Sequence, residues 1–340
     1  MARQTRRQQM IQKKRKKRKA LIVVTSLIAV LLVSAVVAFG YIWNKLNSVK
    51  KQEINNVEIT EEGKKIKEKH KDKNITNIAL FGLDSREVDG KDDPRSDSIM
   101  VVTIDKERNK IKISSIIRDT YVDIKGRGMD KINHAYHFGG PELAVGTINK
   151  NFGLAIEDFA SINFYGLRKV IDTIGGIETN ITSEELKYIN GYIRDIAKIE
   201  KIEPTPVTKT GKQTLNGLQA VAYCRIRYTS GGDERRAERQ RYVLSQMLKK
   251  AQKISPTKYA GLITEMLPNV KTSLSSSEIL SLGMDVMKLD IGNLEQQQFP
   301  LKGKCEGKKI NNIYYNICDL DEAKNDIQKY IYEDIKPKSN

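Results

Sequence analysis

The sharpest contrast along the chain lies in its first forty-three residues. From Ala20 to Trp43 the run ALIVVTSLIAVLLVSAVVAFGYIW holds no Asp, Glu, Lys or Arg, and a helix of that length crosses a hydrocarbon core of roughly 30 Å. The apolar region of a cleavable signal peptide is only about 7 to 15 residues and ends at a small-x-small site. The run is longer and has no clean site of that kind, so the pattern predicts one uncleaved transmembrane helix over 20–43. Residues 44–74 are rich in Lys and Glu and poor in large apolar groups, the pattern of a charged, partly helical stalk.

From residue 75 the periodicity changes. NIALFGL (77–83) is a short apolar run ending in Gly and Asp, which predicts a buried strand delivering a loop. DSIMVVTID (97–105) and KIKISSI (110–116) flank the polar turn KERN and predict an antiparallel pair. PELAVGTINKNF (141–152) has a Pro start suited to a helix, FASINF reads as a strand, and YGLRKVIDTIGG as a helix closed by glycines. LNGLQAVAYC predicts a helix leading into an extended RIR, and DERRAERQRYVLSQMLKKAQ (233–252) a long helix with Ala237, Leu244, Met247, Leu248 and Ala251 near one side. Capping boxes are expected at Ser275 with Glu278 and at Asp319 with Glu322. Strands alternating with helices predict an α/β fold: a three-layer α/β/α sandwich with a central mixed sheet, preceded by the transmembrane helix. Residues 75–340 read as one domain, with Pro204 and Pro206 marking a loop.

Charge adds an orientation. The 340 residues contain 59 Lys and Arg against 42 Asp and Glu, a formal net charge of +17. Ten of the basic residues fall within 1–19, which has no acid, leaving only +7 for the rest. Such a cluster is retained on the cytoplasmic face, and Tyr41 and Trp43 stand where interfacial aromatics belong on the far side. The expected layout is a cytoplasmic tail (1–19), a single membrane pass (20–43), and an extracellular stalk (44–74) and domain (75–340). The tail then serves orientation and attraction to anionic headgroups rather than nucleic-acid binding, because base readout needs a positioned element in a groove. Of three cysteines, Cys305 and Cys318 flank a hairpin-like segment that a disulfide could close, whereas Cys224 has no evident partner and suits a buried small apolar position.

The chemistry on offer is acids and arginines. There is no H-E-x-x-H, G-x-S-x-G or G-x-x-x-x-G-K-[ST], and there are only three histidines, so zinc and serine-triad chemistries have little support. Asp84 follows an apolar strand and Asp97 precedes the next. The loop between them can bring both carboxylates to one sheet edge, where they would suit a hard cation such as Mg²⁺ or Mn²⁺; two ordinary turn acids are the alternative. Arg225 and Arg227, two apart in an extended segment, would point to one side. Arg235, Arg236 and Arg239 occupy the first turns of a helix, where the macrodipole disfavours cations; a bound anion or a local ion-pair cluster would answer that conflict. Arg236 and Gln240 are i,i+4 neighbours that can grip one ligand, and arginine suits bidentate contact with phosphate oxygens. His134, in DKINHAY with Lys131 and Asn133, is either a pocket residue or a structural histidine.

Six strings in order, FGLDSR, RSDSIMVV, SIIRDTYVDI, DKINHAY, LNGLQAVAYCRIR and GDERRAERQR, resemble the LytR-CpsA-Psr family of Gram-positive cell-envelope proteins. The resemblance implies a phosphotransferase that moves an anionic glycopolymer, teichoic acid or capsular polysaccharide, from undecaprenyl pyrophosphate to peptidoglycan through a phosphodiester. It also implies a prenyl chain held in an apolar tunnel beside the sheet. Residue by residue, Asp84 and Asp97 match metal-associated acids, and Arg95, Arg118, Arg225, Arg227, Arg236 and Gln240 match residues that hold the pyrophosphate. Asp84, Asp97, Arg118 and Arg227 are the expected catalytic set, with Asp84 or Asp97 as general base; Arg86 and Asp233 lie within matching motifs. A tethered pyrophosphatase, or a non-catalytic envelope regulator or binding module, would use the same anion site differently. After Lys250 no motif is matched.

Overall fold

The structure, a computed structural model, describes residues 51–85, 94–290, 292 and 294–337. The expected tail and membrane helix, and Arg86, lie outside the described residues. The elements in order are α1 (Glu61–Lys69), β1 (Ile75–Leu83), β2 (Ser96–Asp105), β3 (Lys110–Ile116), β4 (Tyr121–Ile124), β5 (Gly128–Lys131), α2 (His134–Phe152), β6 (Asp158–Asn163), α3 (Phe164–Thr173), β7 (Ile177–Ile181) and α4 (Ser183–Glu200). They continue with β8 (Gly211–Leu215), α5 (Gly217–Arg225), α6 (Gly232–Gln252), α7 (Pro256–Met266), β9 (Lys271–Thr272), α8 (Ser276–Lys288), β10 (Leu294–Phe299), β11 (Cys305–Ile310), β12 (Ile313–Cys318) and α9 (Leu320–Gln328).

Six strands form one mixed sheet in the order β10-β3-β2-β1-β6-β9. β1 pairs antiparallel with β2 and parallel with β6, and β3 pairs antiparallel with β2 and parallel with β10. The central strands are apolar on both faces because both are covered. Ile99 and Val101 of β2 join Phe81, Ile148, Phe152 and Ile327 in one core cluster, under α2 and α9. Met100, Val102 and Ile104 alternate to the other face and join Ile111, Ile113 and Leu289, with Leu244 and Leu248 of α6 and Leu282 of α8 packed against them. A third cluster fills the space between α4, α5 and the two-stranded β7–β8 sheet. Each large apolar side chain taken fully out of water in these clusters contributes about 1.5–3 kcal/mol relative to exposure.

Three local outcomes differ from the pattern-based reading. Residues 51–74 do not behave as a free stalk: Ile54, Val57 and Ile66 pack against the first core cluster. Thr60 caps α1 by accepting from the Gly63 N–H at 3.1 Å. A few apolar residues at intervals sufficed to dock a segment whose average composition is charged. RIR is not a strand. The reciprocal capping box of Asn216 and Gln219 starts α5, which runs through Arg225; Ile226 then leaves the helix and is fully buried. The helix predicted over 141–152 is present and starts at Pro141, but a further helical segment from His134 precedes it, separated by the non-helical Gly139 and Gly140. Of the two expected capping boxes, that at Ser275 is reciprocal, whereas Asp319 accepts from the Asp321 and Glu322 N–H groups without a return bond.

Cys305 and Cys318 are disulfide-bonded across the β11–β12 hairpin, and Cys224 is buried as a free thiol. Asn311 and Asn312 turn the hairpin, both at positive φ (50° and 64°), a conformation asparagine tolerates better than most residues.

Candidate active site at one end of the sheet

The sheet topology brings the charged residues together. β2 runs opposite to both neighbours, so the residue after β1, the start of β2 and the second residue after β3 share one end of the sheet. Asp84, Asp97 and Arg118 occupy those places. Asp97 sits there through a bulge: Gly82 pairs with Ser98 and Leu83 with Ser96, leaving Asp97 as the extra residue of β2. A bulge re-aims the side chain it carries. Gly82 is required opposite it, because a Cβ there would lie 2.9 Å from the Ser98 Cβ.

Three guanidiniums converge on this acid. Arg118 donates from Nη1 to Asp97 Oδ1 at 2.6 Å, Arg227 from Nη2 to Oδ2 at 3.2 Å, and Arg236 Nη1 lies 3.8 Å from Oδ2. Asp233, in the first turn of α6, completes the cluster by accepting from Arg118 Nε at 3.1 Å and Arg236 Nη2 at 3.0 Å, with Arg227 Nε 3.8 Å away. Asp119 adds a third carboxylate, 3.5 Å from Arg118 Nε.

The sign conflict at the start of α6 resolves residue by residue. Arg235 pairs with Glu238 at 2.6 Å on the surface. Arg239 is buried and tied to Glu185, the Ile226 carbonyl and Thr229. Arg236 alone of the three faces the cluster, where its Nε is buried with no hydrogen-bond partner. Burial, then the neighbouring Arg118 charge, pushes its pKa down to about 10. For Arg118 burial acts in the same direction but is outweighed by Asp97, Asp233 and Asp119, which hold its pKa above the ordinary value. Three guanidiniums and three carboxylates are thus packed together, and one guanidinium keeps an N–H without a protein partner, a donor of the kind that phosphate oxygens accept from.

Two cavities open from the cluster. One of about 180 Å³ is lined by Asp84, Asp97, Phe164, Arg225, Arg227, Arg236 and Gln240, among others. Both carboxylates and four predicted pyrophosphate residues therefore meet in one space. Arg225 lies over the Phe164 ring, 4.9 Å from its centroid. The other, of about 330 Å³, is lined by Asp97, Arg118, Arg236, Gln240 and Gln298 together with Gly307, Tyr314 and Asn316 of the hairpin, among others. A wider cavity of about 630 Å³ shares Asp84 and Arg225 and is walled by Phe164, Tyr165, Ile196 and Ile199.

Not every predicted residue joins. Arg95 is exposed and absent from the lining of these cavities, although its carbonyl accepts from the Asp84 N–H at 3.1 Å. His134 is absent from the lining of these cavities, its Nδ1 2.8 Å from Asp130 Oδ2, and Lys131 pairs with Asp119 at 2.7 Å. Sequence reasoning missed Asp119 and the hairpin side chains. The signal for Asp119 was its place beside Arg118; the hairpin was legible as a hairpin, but no signal tied it to a site about two hundred residues away in sequence.

The chain matches the LytR_cpsA_psr family over residues 40–330 and belongs to that family. The polyisoprenyl-teichoic acid–peptidoglycan teichoic acid transferase TagU of Oceanobacillus iheyensis is 34% identical over 267 residues, covering 76% of this chain and 76% of that protein. The transferase of the same name from Bacillus subtilis is 33% identical over 304 residues, covering 87% and 89%. Among solved structures, TagT bound to LIIa-WTA has the same fold, with a TM-score of 0.62 at 24% identity over 84% of this chain and 96% of that one.

Proposed function

We infer that this protein is a phosphotransferase that moves a lipid-linked anionic glycopolymer, of the teichoic acid type carried by its relatives, from a polyprenyl pyrophosphate to peptidoglycan. The observation that carries the reading is the convergence of Arg118, Arg227 and Arg236 on Asp97 and Asp233 at an accessible sheet end. Phosphoryl transfer needs positioning and charge stabilisation more than a covalent nucleophile, which fits a site with abundant guanidiniums and no serine or cysteine nucleophile among its named residues.

In this reading the pyrophosphate lies across Arg118, Arg227 and Arg236, with Arg225 and Gln240 at its flank. Asp97 and Asp233 hold the guanidiniums in place until the anion takes over part of their hydrogen bonding. A peptidoglycan hydroxyl attacks the sugar-side phosphorus, and the bond from that phosphorus to the bridging oxygen breaks, so prenyl phosphate leaves. Asp84 is the better-placed acceptor for the hydroxyl proton, because both Asp97 oxygens already accept from arginines. Asp84 and Asp97, two carboxylates on one cavity, suit Mg²⁺ or Mn²⁺, which would supply further neutralisation of phosphate charge. The Phe164, Tyr165, Ile196 and Ile199 cavity suits the first isoprene units. We further propose a three-layer domain held outside the cell by one N-terminal membrane helix over 20–43, with residues 1–19 cytoplasmic.

The test uses the full chain in detergent with a synthetic lipid-pyrophosphate glycan, peptidoglycan oligomers and Mg²⁺. Wild type should release prenyl phosphate and form a glycan–peptidoglycan adduct, while Arg227→Ala and Asp97→Ala lose on the order of 10² or more in rate, the latter with a blunted Mg²⁺ response. Prenyl phosphate without adduct would point to a pyrophosphatase, and lipid binding without either product to a binding module.

A further inference from the structure

The cavity of about 330 Å³ has a mixed lining. Beside the charged cluster of Asp97, Arg118, Asp233 and Arg236 and the paired Lys302 and Glu234, it includes the uncharged Gln298, Asn316, Gly307 and Tyr314. Tyr314 is a large aromatic left 47% exposed on a two-stranded hairpin, where burial does not explain it. Its ring lies against the facing strand: a Cβ on Gly307 would collide with the Tyr314 hydroxyl and lie 2.9 Å from two ring carbons. Gly307 opposes Asn316, and Tyr314 opposes Lys309, so Gly307 and Tyr314 are diagonal neighbours on one face. The glycine thus lets the ring lie flat and leave its other face open. The Tyr314 hydroxyl donates to Asn316 Oδ1 at 3.0 Å, which fixes the ring's direction.

The hairpin is also held in register with the charged cluster. The Asn316 N–H donates to the Asp119 carbonyl at 2.9 Å, Thr120 bridges to Asn316, and on the opposite face Tyr315 packs edge-on against Tyr121. Asp119 follows Arg118 directly, so the aromatic face keeps a fixed offset from the guanidiniums. The Cys305–Cys318 disulfide closes the base of the same hairpin.

We propose that Tyr314 is a stacking platform for a sugar ring at the transfer site, with Asn316 and Gln298 as hydrogen-bond partners for its hydroxyl or amide groups. A flat aromatic face that shares its cavity with neutral amides suits a pyranose better than a phosphate, and the same cavity is lined by Arg118 and Arg236, so a sugar bound there would lie near the reacting phosphorus. The assignment rests on the transferase reading for its biological meaning, and its chemistry is tested by binding alone. The sugar comes either from the acceptor glycan or from the first residue of the donor.

The test measures affinities of the full chain in detergent for three probes: a soluble peptidoglycan tetrasaccharide, a lipid-pyrophosphate disaccharide and octaprenyl pyrophosphate without sugar. Tyr314→Ala should weaken one of the sugar-bearing probes by roughly five- to ten-fold, as loss of an aromatic contact does. Tyr314→Trp should restore it, and binding of octaprenyl pyrophosphate should not change. Loss confined to the tetrasaccharide assigns the platform to the acceptor; loss confined to the lipid-linked disaccharide assigns it to the donor. Gly307→Val, which forces the ring off the opposite strand while leaving Tyr314 in place, should reproduce the loss. Unchanged affinity for both sugar probes in Tyr314→Ala overturns the proposal, as does equal weakening of all three probes. If wild type binds the sugars in this way yet forms no adduct, the transferase reading falls and the platform stands.

Discussion

Replacing Arg236 by methionine separates stability from function at the charged cluster. The side chain is 4% exposed, and its pKa, ordinarily 12.5, is pushed down to about 10 by burial and by Arg118, even with Asp233 and Asp97 acting in the other direction. A base whose folded pKa lies below its unfolded one is a handicap at every pH where it is charged. The handicap is complete at neutral pH and fades only as pH rises through about 10. A depression of that size corresponds to about 3 kcal/mol. Methionine keeps the apolar stem and removes the charge. Asp97 retains Arg118 at 2.6 Å and Arg227 at 3.2 Å, and Asp233 retains Arg118 at 3.1 Å, so neither acid is stranded. The expected Tm of Arg236→Met is therefore unchanged or raised by up to roughly 5 °C. Inorganic pyrophosphate at about 100 times its Kd should stabilise the wild type by about 2.7 kcal/mol, and the variant should lose most of that gain. Thermal melts with and without pyrophosphate read both effects. A fall in Tm of about 5 °C or more with an undiminished pyrophosphate response would show that Arg236 is a structural ion-pair partner, and the reasoning would fail.

Two further outcomes follow from the fold. His70 is buried, stacked on Tyr332 at 5.2 Å with both ring nitrogens unpartnered, and burial, then Lys73 and Lys69, lower its pKa. Its neutral form is the one the fold accepts, so stability should fall as pH drops through about 6.5; His70→Phe, which keeps the stacking, should flatten that acid limb in urea melts. Replacing Cys305 and Cys318 by serine reopens a loop worth about 3 kcal/mol on the chain-entropy account, so amide exchange across β11 and β12 should speed by up to about 100-fold, and unchanged protection would show that the hairpin is held by its contacts with Asp119 and Tyr121.

Much of the fold was legible because its strands are buried on both faces and read as continuous apolar runs: β1, β2 and β3 fall within two residues of their expected limits. α6 was equally plain, since its apolar stripe and its Arg-rich start are both local features. Helix ends were less secure. Arg225 was placed in a strand because a short basic-apolar-basic string alternates like one, whereas its state was decided by a capping box nine residues earlier and by burial of Ile226. The segment before β1 was read by average charge, which hid three apolar side chains that dock it.

The site divides in the same way. Residue types and short spacings singled out Asp84, Asp97, Arg225, Arg227, Arg236 and Gln240 as candidates beside plainer readings, and the resemblance to the LytR-CpsA-Psr family added Arg118 and gave each its role. Which of them meet was decided in three dimensions: the Asp97 bulge turns one carboxylate toward three guanidiniums, and the β11–β12 hairpin closes over Asp119 from the far end of the chain. Arg95 carries the same charge and was left outside. Local sequence encodes propensity and periodicity over a few residues, whereas contacts between distant segments depend on how sheet order and buried surface fold them together. The sequence therefore determined what chemistry this protein carries, and only the tertiary structure decided which side chains share it.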